Sequence, residues 1–282
     1  MLRLSRLHIV ESMEELRGIP EGKVLINTIN AHSYNVAQKD EEFSTALNTS
    51  YLNGNVNVNV NGKVRKYLIP DGASIVKACR WLKAKSQPKE RIAGWDLFAF
   101  EMQRLEGRSE GRSEKWKVKS EKCGRVMFMG SSERVLRLIR ERAAEDYPNL
   151  EIVTYSPPYK AEFTEEDNRA IVQAINEAKP DLLWIGMTAP KQEKWTYQHW
   201  KELDINCHVG TIGAVFDFYA GTATRAPKWW QQHGLEWLYR LMIEPRRMWR
   251  RYVIGNPLFI WNVMKEVNST FASSACLVDK GR

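Results

Sequence analysis

Short apolar runs alternate with amphipathic stretches over most of the chain, and this alternation restricts the fold more than any other feature of the sequence. Six runs have the length and composition of buried strands, at 23–29, 65–69, 125–129, 150–154, 181–187 and 206–212. Helical spacing of apolar residues follows at 132–147 and at 164–178, where Thr164 is a suitable N-cap ahead of three acidic residues. Strands that alternate with helices form a largely parallel sheet with helices on both faces. The pattern therefore predicts an α/β fold.

Two polar segments are predicted to be insertions in this domain. Residues 53–61 read NGNVNVNVN, with valines on one face of a strand, asparagines on the other and Asn-Gly turn signals at the ends. We expect a hairpin over about residues 53–66. Residues 107–115 read GRSEGRSEK, a charged repeat that predicts a mobile surface loop over about residues 105–120.

The composition changes after Pro227 and predicts a distinct C-terminal segment. Five of the eleven tryptophans lie there, and eight basic residues from Arg225 to Lys265 oppose only two acidic ones, in a chain of net charge +8. The spacing predicts a helix over 234–243 and a second helix that starts at Pro245. We divide the chain into an α/β core, residues 1–230, and a helical, basic and aromatic appendage, residues 231–282.

The appendage has the character of a peripheral membrane element. Amphipathic helices that carry arginines and tryptophans lie in the headgroup plane of anionic bilayers. We expect Trp229, Trp230 and Trp237 to pack on the core, and Trp249 with its neighbouring arginines to lie nearer an anionic membrane surface. The alternative is that the tryptophans only pack on the core.

No segment of the sequence predicts export or a membrane span. The N-terminus lacks the apolar core of a signal peptide, and the best apolar stretch, 252–264, is shorter than the roughly 20 residues that a bilayer requires. The four cysteines are far apart and form no metal-binding or disulfide pattern. We expect a cytoplasmic protein that binds peripherally to the inner face of the cell membrane.

Several nucleotide-binding and hydrolytic motifs are absent from the sequence. There is no GxxxxGKS/T loop, no GxGxxG after a strand and no GxSxG turn, which argues against a P-loop NTPase, a typical dinucleotide enzyme and an α/β-hydrolase. There is also no DxD, the acid pair with which many sugar-nucleotide enzymes hold a divalent metal. Basic side chains or a helix N-terminus would then have to bind a diphosphate. We expect neither a metal nor a cofactor.

Polar residues directly after two consecutive apolar runs are candidates for sugar binding and catalysis, because ligands bind at the carboxyl ends of strands in open α/β sheets. Thr28 and Asn30 follow the first run, where they could hydrogen-bond a sugar, although helix capping by Asn30 or Ser33 explains the pattern at least as well. Asp71 and Gly72 follow the second run. The carboxylate could accept a proton from an attacking hydroxyl, and a simple Pro-Asp-Gly turn is the alternative.

Two further strand ends carry residues that could bind the donor. Gly130 and Ser131 lie between a strand and a helix, where backbone N–H groups can hold a phosphate, with an ordinary capped turn as the alternative. Lys191, Gln192 and Glu193 follow the fifth run. Lys191 could neutralise a phosphate and Gln192 could orient a sugar or leaving group, while the alternative is a solvated loop.

The stretch after the last strand leads into the appendage. Gly213 and Asp217 lie at its start and Arg225 lies at its end. Arg225 could pair with a diphosphate and Asp217 with a ribose or base, or both could belong to structural ion pairs.

Eight short motifs in a fixed order resemble the WecG/TagA/CpsF family of glycosyltransferases. They are TIN at 28–30, PDG at 70–72, AGWDL at 93–97, PKQE at 190–193, GAVFD at 213–217, RAP at 225–227, LEWLYR at 235–240 and EPRR at 244–247. The resemblance implies a Rossmann-like sheet and an inverting, metal-independent transfer of a sugar from a UDP-sugar, such as UDP-N-acetylmannosamine or a related hexose. The acceptor would be a polyprenyl-diphosphate-linked saccharide, and the product a cell-surface polysaccharide such as a teichoic acid or exopolysaccharide.

The resemblance also implies roles for individual residues. Asp71 matches the proposed base. Thr28 and Asn30 would line the sugar pocket, and Gln192 would lie beside the donor. Arginines of the appendage from Arg240 to Arg251 would bind the diphosphates, namely Arg240, Arg246, Arg247, Arg250 and Arg251. The Asn-Val hairpin near Asp71 departs from the family pattern and could change the access of the acceptor.

Two other functional classes stay open on the sequence. The basic segment could bind nucleic acid, although no RRM, KH or zinc pattern is present. The chain could also be a non-catalytic scaffold in polysaccharide assembly, which the intact Asp71 and Gln192 argue against. We expect an enzyme that binds no nucleic acid, and the sequence leaves open whether it forms a homo-oligomer.

Overall fold

The apolar runs form a central parallel sheet in the computed structural model, which describes residues 1–49, 65–113 and 124–278. The strands are β1 Val24–Ile29, β2 Lys66–Pro70, β3 Gly124–Gly130, β4 Leu150–Tyr155, β5 Leu182–Gly186 and β6 His208–Thr211. Their order in the sheet is β2-β1-β6-β5-β3-β4, and every pairing is parallel. The carboxyl ends therefore lie at one edge, and the predicted parallel sheet is confirmed.

Helices connect the strands and continue beyond the sheet. The α-helices of the described residues are α1 Met13–Arg17, α2 Ala31–Ala37, α3 Glu41–Leu47, α4 Ala73–Trp81, α5 Gly94–Ser113, α6 Glu133–Asp146, α7 Glu165–Ala178, α8 Lys191–His199, α9 Gly213–Tyr219, α10 Lys228–Gln232, α11 Glu236–Ile243, α12 Pro245–Trp249 and α13 Gly255–Val278. A 3₁₀ turn, Leu4–Arg6, precedes α1, and a π-helical turn, Arg250–Ile254, joins α12 to α13. Thr164 caps α7 as predicted, since its Oγ1 accepts a hydrogen bond of 3.2 Å from the Asp167 N–H.

Helices cover both faces of the sheet because each strand sends apolar side chains into two buried clusters. Val24, Ile26 and Trp184 belong to a cluster that includes residues of α5, α6 and α9. Leu25 and Leu183 belong to the cluster on the opposite face, which includes residues of α7 and α8. Burial on both faces explains why these runs read as continuously apolar. The prediction of helices on both faces is confirmed.

A third buried cluster joins the two ends of the chain. It contains Leu4 and Leu7 near the N-terminus, Tyr34 of α2, and Phe259 and Val263 of α13. The rings of Tyr34 and Phe259 meet edge to face, with 5.5 Å between their centroids. Removing a buried phenylalanine side chain typically costs about 3–5 kcal/mol. Helix α13 is therefore firmly packed on the core. The division of the chain into a core and an appendage near residue 230 stays a prediction.

Two predictions about local structure are wrong. Helix α5 extends to Ser113, so the first part of the GRSEGRSEK repeat is helical and not a loop. Buried apolar residues nucleate this helix upstream, and a nucleated helix propagates easily through arginine and glutamate.

The predicted burial of the first tryptophans is the second error, because Trp229 and Trp237 are 56 % and 38 % exposed instead of buried on the core. Their rings contact His233 and Tyr252 of the C-terminal segment itself. Most of the predicted hairpin, residues 53–64, lies outside the described residues.

Candidate active site

The carboxyl ends of β1 and β2 bring Thr28, Asn30 and Asp71 to the same edge of the sheet. The two strands pair with Thr28 opposite Ile69. The backbone N–H of Asp71 donates to the carbonyl oxygens of Ile29 at 2.9 Å and Ile69 at 3.0 Å. Both strands therefore determine the position of Asp71, at the edge where ligands bind in this class of fold.

Asp71 lies in an electrostatic environment that suits a base. The residue is partly buried, and burial raises the pKa of its carboxyl group above the ordinary value. The positive charges of Arg240, Arg91 and Arg251 act against this shift of the pKa. The negative charge of Glu236 adds to the shift, and the net direction is upward. A carboxylate with a raised pKa is a stronger base than an exposed one once it is deprotonated.

Arg91 and Glu236 connect the sheet edge to the C-terminal segment. Arg91 Nη1 donates to Glu236 Oε2 at 2.6 Å, and Arg225 Nη2 lies 3.8 Å from Glu236 Oε1. The backbone N–H of Ile92 donates to the Pro70 carbonyl oxygen at 3.1 Å, which holds the loop of Arg91 beside the end of β2. Two arginines of the core thus lie beside one carboxylate of α11, and the charges of Asp71 and Asp96 also act on both of them.

The appendage arginines fall into two groups. The charges of Arg240 and Arg251 reach the candidate base. Arg246 and Arg250 are exposed, and the Arg247 side chain lies outside the described part of the structure. Adjacent residues of a helix point in different directions, so one helical segment cannot turn all of its arginines to the same ligand. Diphosphate binding by the exposed pair stays a prediction.

Asn30 caps helix α2, which was the alternative to sugar binding. Its Oδ1 accepts hydrogen bonds from the backbone N–H groups of His32 at 3.1 Å and Ser33 at 3.0 Å. A Cβ atom on Gly72 would lie 3.8 Å from Asn30 Cβ, so Asn30 is a neighbour of the Asp71–Gly72 turn. The cap occupies the side-chain oxygen, which leaves the amide nitrogen to interact with a ligand.

Gln192 is buried and bridges the ends of two central strands. Its Oε1 accepts hydrogen bonds of 3.2 Å from the backbone N–H groups of Met187 and Gly213, which lie just after β5 and β6. Its Nε2 donates to Glu193 Oε1 at 2.8 Å. A Cβ atom on Gly213 would lie 2.2 Å from the Met187 carbonyl oxygen, so this close approach requires glycine. Direct contact between Gln192 and a donor stays a prediction, since both ends of its amide already have partners.

Glu193 is 1 % exposed, and its Oε2 has no hydrogen-bond partner among the described residues. Burial raises the pKa of its carboxyl group to about 7, although the hydrogen bond from Gln192 opposes this shift. The carboxyl group lies beneath the surface, so any influence on a ligand would pass through Gln192. Binding of a substrate by Glu193 itself stays a prediction.

The raised pKa of Glu193 should make the stability of the protein depend on pH. The folded state favours the protonated acid, so its contribution is complete below pH 4.5 and is lost as the pH rises through about 7. The Glu193→Gln variant should therefore gain about 2–3 kcal/mol in unfolding free energy, relative to wild type, from about pH 5 to about pH 8. Urea unfolding at both pH values measures this gain. Glu166→Gln, at an exposed position of α7, is the control, and parallel curves for Glu193→Gln and wild type would contradict the assignment.

Gly130 and Ser131 form a tight turn between β3 and α6. Gly130 has a φ of +117°, and a Cβ atom there would lie 2.4 Å from the Gly186 carbonyl oxygen. Ser132 caps α6, since its Oγ accepts a hydrogen bond of 3.4 Å from the Val135 N–H. The capped turn that the sequence offered as an alternative is therefore present, and phosphate binding at this turn stays a prediction.

Lys191 and Asp217 interact with neighbouring protein groups. Lys191 Nζ donates to the Lys160 carbonyl oxygen at 2.6 Å and lies 3.4 Å from the ring centroid of Phe163. Asp217 is exposed and accepts a hydrogen bond of 3.3 Å from Thr222 Oγ1. Substrate binding by these two residues stays a prediction, and for Lys191 it requires an exchange of partners.

Two residues around Asp71 were missed in the sequence: Arg91 and Glu236. The sequence signal is weak, since Arg91 merely lies two residues before the AGWDL motif and Glu236 lies within LEWLYR. The pair is separated by 145 positions in the chain. Spacing rules describe local structure and cannot detect a contact over that distance.

A parallel sheet that presents a carboxylate among arginines at its ligand-binding edge suits group transfer that involves an anionic substrate. The family model described as "Glycosyl transferase WecG/TagA/CpsF family" matches residues 62–272. The chain therefore belongs to the WecG/TagA/CpsF family of glycosyltransferases and is an enzyme of this class. This membership confirms the resemblance and favours the enzyme over the scaffold and nucleic-acid-binding alternatives.

Similar proteins from Bacillus and Staphylococcus carry one shared name, N-acetylglucosaminyldiphosphoundecaprenol N-acetyl-beta-D-mannosaminyltransferase. The protein of Bacillus subtilis strain 168 is 27 % identical over 86 % of this chain and 79 % of its own length. That of Bacillus spizizenii is 29 % identical over 71 % of this chain and 68 % of its own length. The protein of Staphylococcus aureus strain NCTC 8325 is 26 % identical over 71 % of this chain and 69 % of its own length.

Proposed function

We propose that the protein transfers N-acetylmannosamine or a related hexose from a UDP-sugar to a saccharide linked to a polyprenyl diphosphate. The names of the relatives specify an N-acetylmannosaminyl group and an acceptor built on diphosphoundecaprenol. The present chain would catalyse a reaction of the same type in the biosynthesis of a cell-surface polysaccharide, at the inner face of the cell membrane. The transfer would invert the anomeric centre and need no metal ion.

The position of Asp71 among arginines from distant parts of the chain carries this proposal. The carboxylate lies at the end of β2. It interacts electrostatically with Arg91 of the core and with Arg240 and Arg251 of the appendage. A base beside cations is what a displacement at a phosphate-linked carbon requires, because a proton must leave the nucleophile while negative charge develops on the leaving group.

The proposed reaction is a single displacement. An acceptor hydroxyl forms the new bond to the anomeric carbon on the face opposite UDP, and the bond from that carbon to the UDP oxygen breaks. Asp71 accepts the hydroxyl proton, and UDP leaves with the bonding electron pair. One displacement on one face inverts the configuration, which is why a single base is sufficient.

Cationic side chains would stabilise the departing UDP. Arg240 and Arg251 supply positive charge beside Asp71 from the appendage, and Arg91 and Arg225 supply it from the core. Preorganised donors of this kind act strongly because they need no reorganisation during the reaction. Thr28 would hydrogen-bond the sugar from the end of β1.

A transfer assay tests the proposed function. The purified protein is incubated with a panel of radiolabelled UDP-sugars and a synthetic polyprenyl-diphosphate N-acetylglucosamine, and lipid-linked product is extracted and counted. NMR of the product gives the anomeric configuration, and added EDTA tests the need for a metal. Absence of transfer from every donor, or retention of configuration, would overturn the corresponding part of the proposal.

The exposed surface of the C-terminal segment supports a peripheral membrane position. Large apolar side chains there are 43–56 % exposed, namely Trp229, Ile243, Trp249, Val253, Ile254, Ile260, Trp261 and Met264. Exposed arginines lie in the same segment, among them Arg246 and Arg250. Tryptophan and arginine together suit the headgroup region of an anionic bilayer. Across the described ranges, no helix is both long and apolar enough to cross a bilayer.

Replacing Trp261 by alanine should weaken binding to phosphatidylglycerol vesicles by at least about tenfold, since burial of one large apolar side chain contributes about 1.5–3 kcal/mol. Liposome sedimentation at fixed lipid concentration measures the bound fraction. Trp81→Ala is the matched control, because Trp81 is a tryptophan of α4 that is 53 % exposed, close to the 55 % of Trp261. Equal binding of the two variants would refute a membrane role for this surface.

A further inference from the structure

One carboxylate of helix α13 ties the C-terminal helix to the start of the chain. Glu266 is 7 % exposed, and its carboxylate accepts hydrogen bonds from four donors. The backbone N–H groups of Leu4 and Ser5 donate to Oε2 at 3.0 Å and to Oε1 at 2.8 Å. The hydroxyl groups of Ser5 and Tyr34 donate at 2.5 Å and 2.8 Å. The carboxylate thus caps the 3₁₀ turn Leu4–Arg6 and holds α2 at the same time.

A second polar contact holds the start of the same helix. Asn35 of α2 donates from Nδ2 to the Gly255 carbonyl oxygen at 2.7 Å, and its Oδ1 accepts from Asn262 Nδ2 at 3.0 Å. Asn35 is 6 % exposed. Hydrogen bonds to a charged carboxylate are stronger than hydrogen bonds between neutral groups. Glu266 is therefore the strongest single anchor among these polar contacts.

We propose that Glu266 is a positioning residue for the transfer reaction, which holds α13 so that the arginines N-terminal to it stay at Asp71. This inference rests on the proposed function. Its basis is continuity, because α13 follows directly on the π-helical turn that contains Arg251, with α12 and α11 before it. A helix transmits a displacement along its axis, so release at Glu266 moves Arg251.

The anchor lies on a different element from the groups that act on Asp71. The charged groups that face Asp71 are Arg91, Arg225, Arg240, Arg251 and Glu236. Arg91 and Arg225 belong to the core, and their partner Glu236 lies on α11 of the appendage. Arg240 and Arg251 belong to the appendage, and their charges lower the pKa of Asp71. Glu236 moves with them and acts in the opposite direction, but Arg240 affects the pKa of Asp71 more than Glu236 does. Loss of the anchor should therefore raise the pKa of Asp71, which a purely stabilising role far from the site would leave unchanged.

Hydrogen exchange tests the anchor without any substrate. Glu266→Gln keeps the side-chain volume but sets an amide N–H₂ against N–H and O–H donors. We expect amide protection in 255–269 to fall at least tenfold, with protection of β5 unchanged. Asn268→Ala, an exposed position of the same helix, is the control and should leave exchange unchanged. If Glu266→Gln lowers protection throughout the protein, Tyr34→Phe, which removes one of the four donors, is judged by the same criteria.

Carbon-13 NMR of labelled aspartate side chains then tests the positioning. The Asp71 signal, assigned through Asp71→Asn, should titrate at higher pH in Glu266→Gln than in wild type. The effect of Glu266→Gln on the Asp71 titration should shrink in an Arg251→Ala background, because the two changes remove the same interaction.

Transfer kinetics of Glu266→Gln should show a kcat/KM at least tenfold lower than that of wild type, mainly through kcat. An unchanged Asp71 titration with lost helix protection would overturn the positioning role. Absence of transfer by the wild type would overturn the proposed function and leave the exchange and titration results to decide on the anchor.

Discussion

Asp71→Asn should lower the rate of sugar transfer by about 10²–10⁴-fold, the contribution that a positioned general base typically makes. Asparagine has nearly the same shape but cannot accept the proton of the attacking hydroxyl. UDP should still bind, because the arginines around the site are unchanged and lose a negative neighbour. Transfer assays give the rate, and isothermal titration calorimetry gives the affinity for UDP.

The pH profile adds a second criterion for the same residue. The reaction requires the deprotonated carboxylate, so kcat/KM should fall as the pH drops through the pKa of Asp71, which burial raises above the ordinary carboxyl value. This acidic limb should disappear in Asp71→Asn. Asp204→Asn, an exposed aspartate outside the site, should keep both the rate and the limb. Full turnover by Asp71→Asn would eliminate Asp71 as the base.

Arg240→Ala should lower kcat/KM by about 10²–10³-fold, as expected when one preorganised charged donor is removed from a transition state with developing negative charge. Arg240 is the first among the charges that lower the pKa of Asp71, so its loss should also move the acidic limb of the pH profile upward. Both effects are measured in the same transfer assay over a series of pH values.

Two further arginine variants serve as controls for Arg240→Ala, one in the same segment and one far from the site. Arg250→Ala changes an exposed residue of the same segment, and we expect a smaller effect on kcat/KM because its side chain lies in solvent. Arg137→Ala, on α6 and paired at 3.7 Å with Glu141, should leave the rate unchanged. Equal losses in Arg240→Ala and Arg250→Ala would mean that the appendage rearranges around the substrate and that this conformation does not represent the active one.

The secondary structure could be predicted because its causes are local. A strand buried on both faces must be apolar along its whole length, so the six runs identified the six strands. Thr164 could be recognised as a cap because the group it binds is three residues away. The error at α5 has the same origin, since a polar repeat looks like a loop when the buried helix before it is not taken into account.

The candidate site could be predicted only in part. Parallel strands place their carboxyl ends at one edge, so the residues after each run could be assigned to that edge. Their environments could not be assigned. Gln192 lies in a buried hydrogen-bond network with the backbone of Met187 and Gly213. The side-chain oxygen of Asn30 caps helix α2. Residues of the same types could equally have lined an open pocket. Which polar atoms form hydrogen bonds within the protein depends on the packing and cannot be read from the residue types.

The amino-acid sequence by itself determined the parallel sheet, its ligand-binding edge, the family and the position of one carboxylate at that edge. Only the tertiary structure decided which cations surround that carboxylate. The reason is that the orientation of the C-terminal arginines depends on contacts across the whole chain, such as the hydrogen bond from the Leu4 N–H to Glu266, which spans 262 positions. Such contacts depend on how all the elements pack, and no local pattern of residues records them.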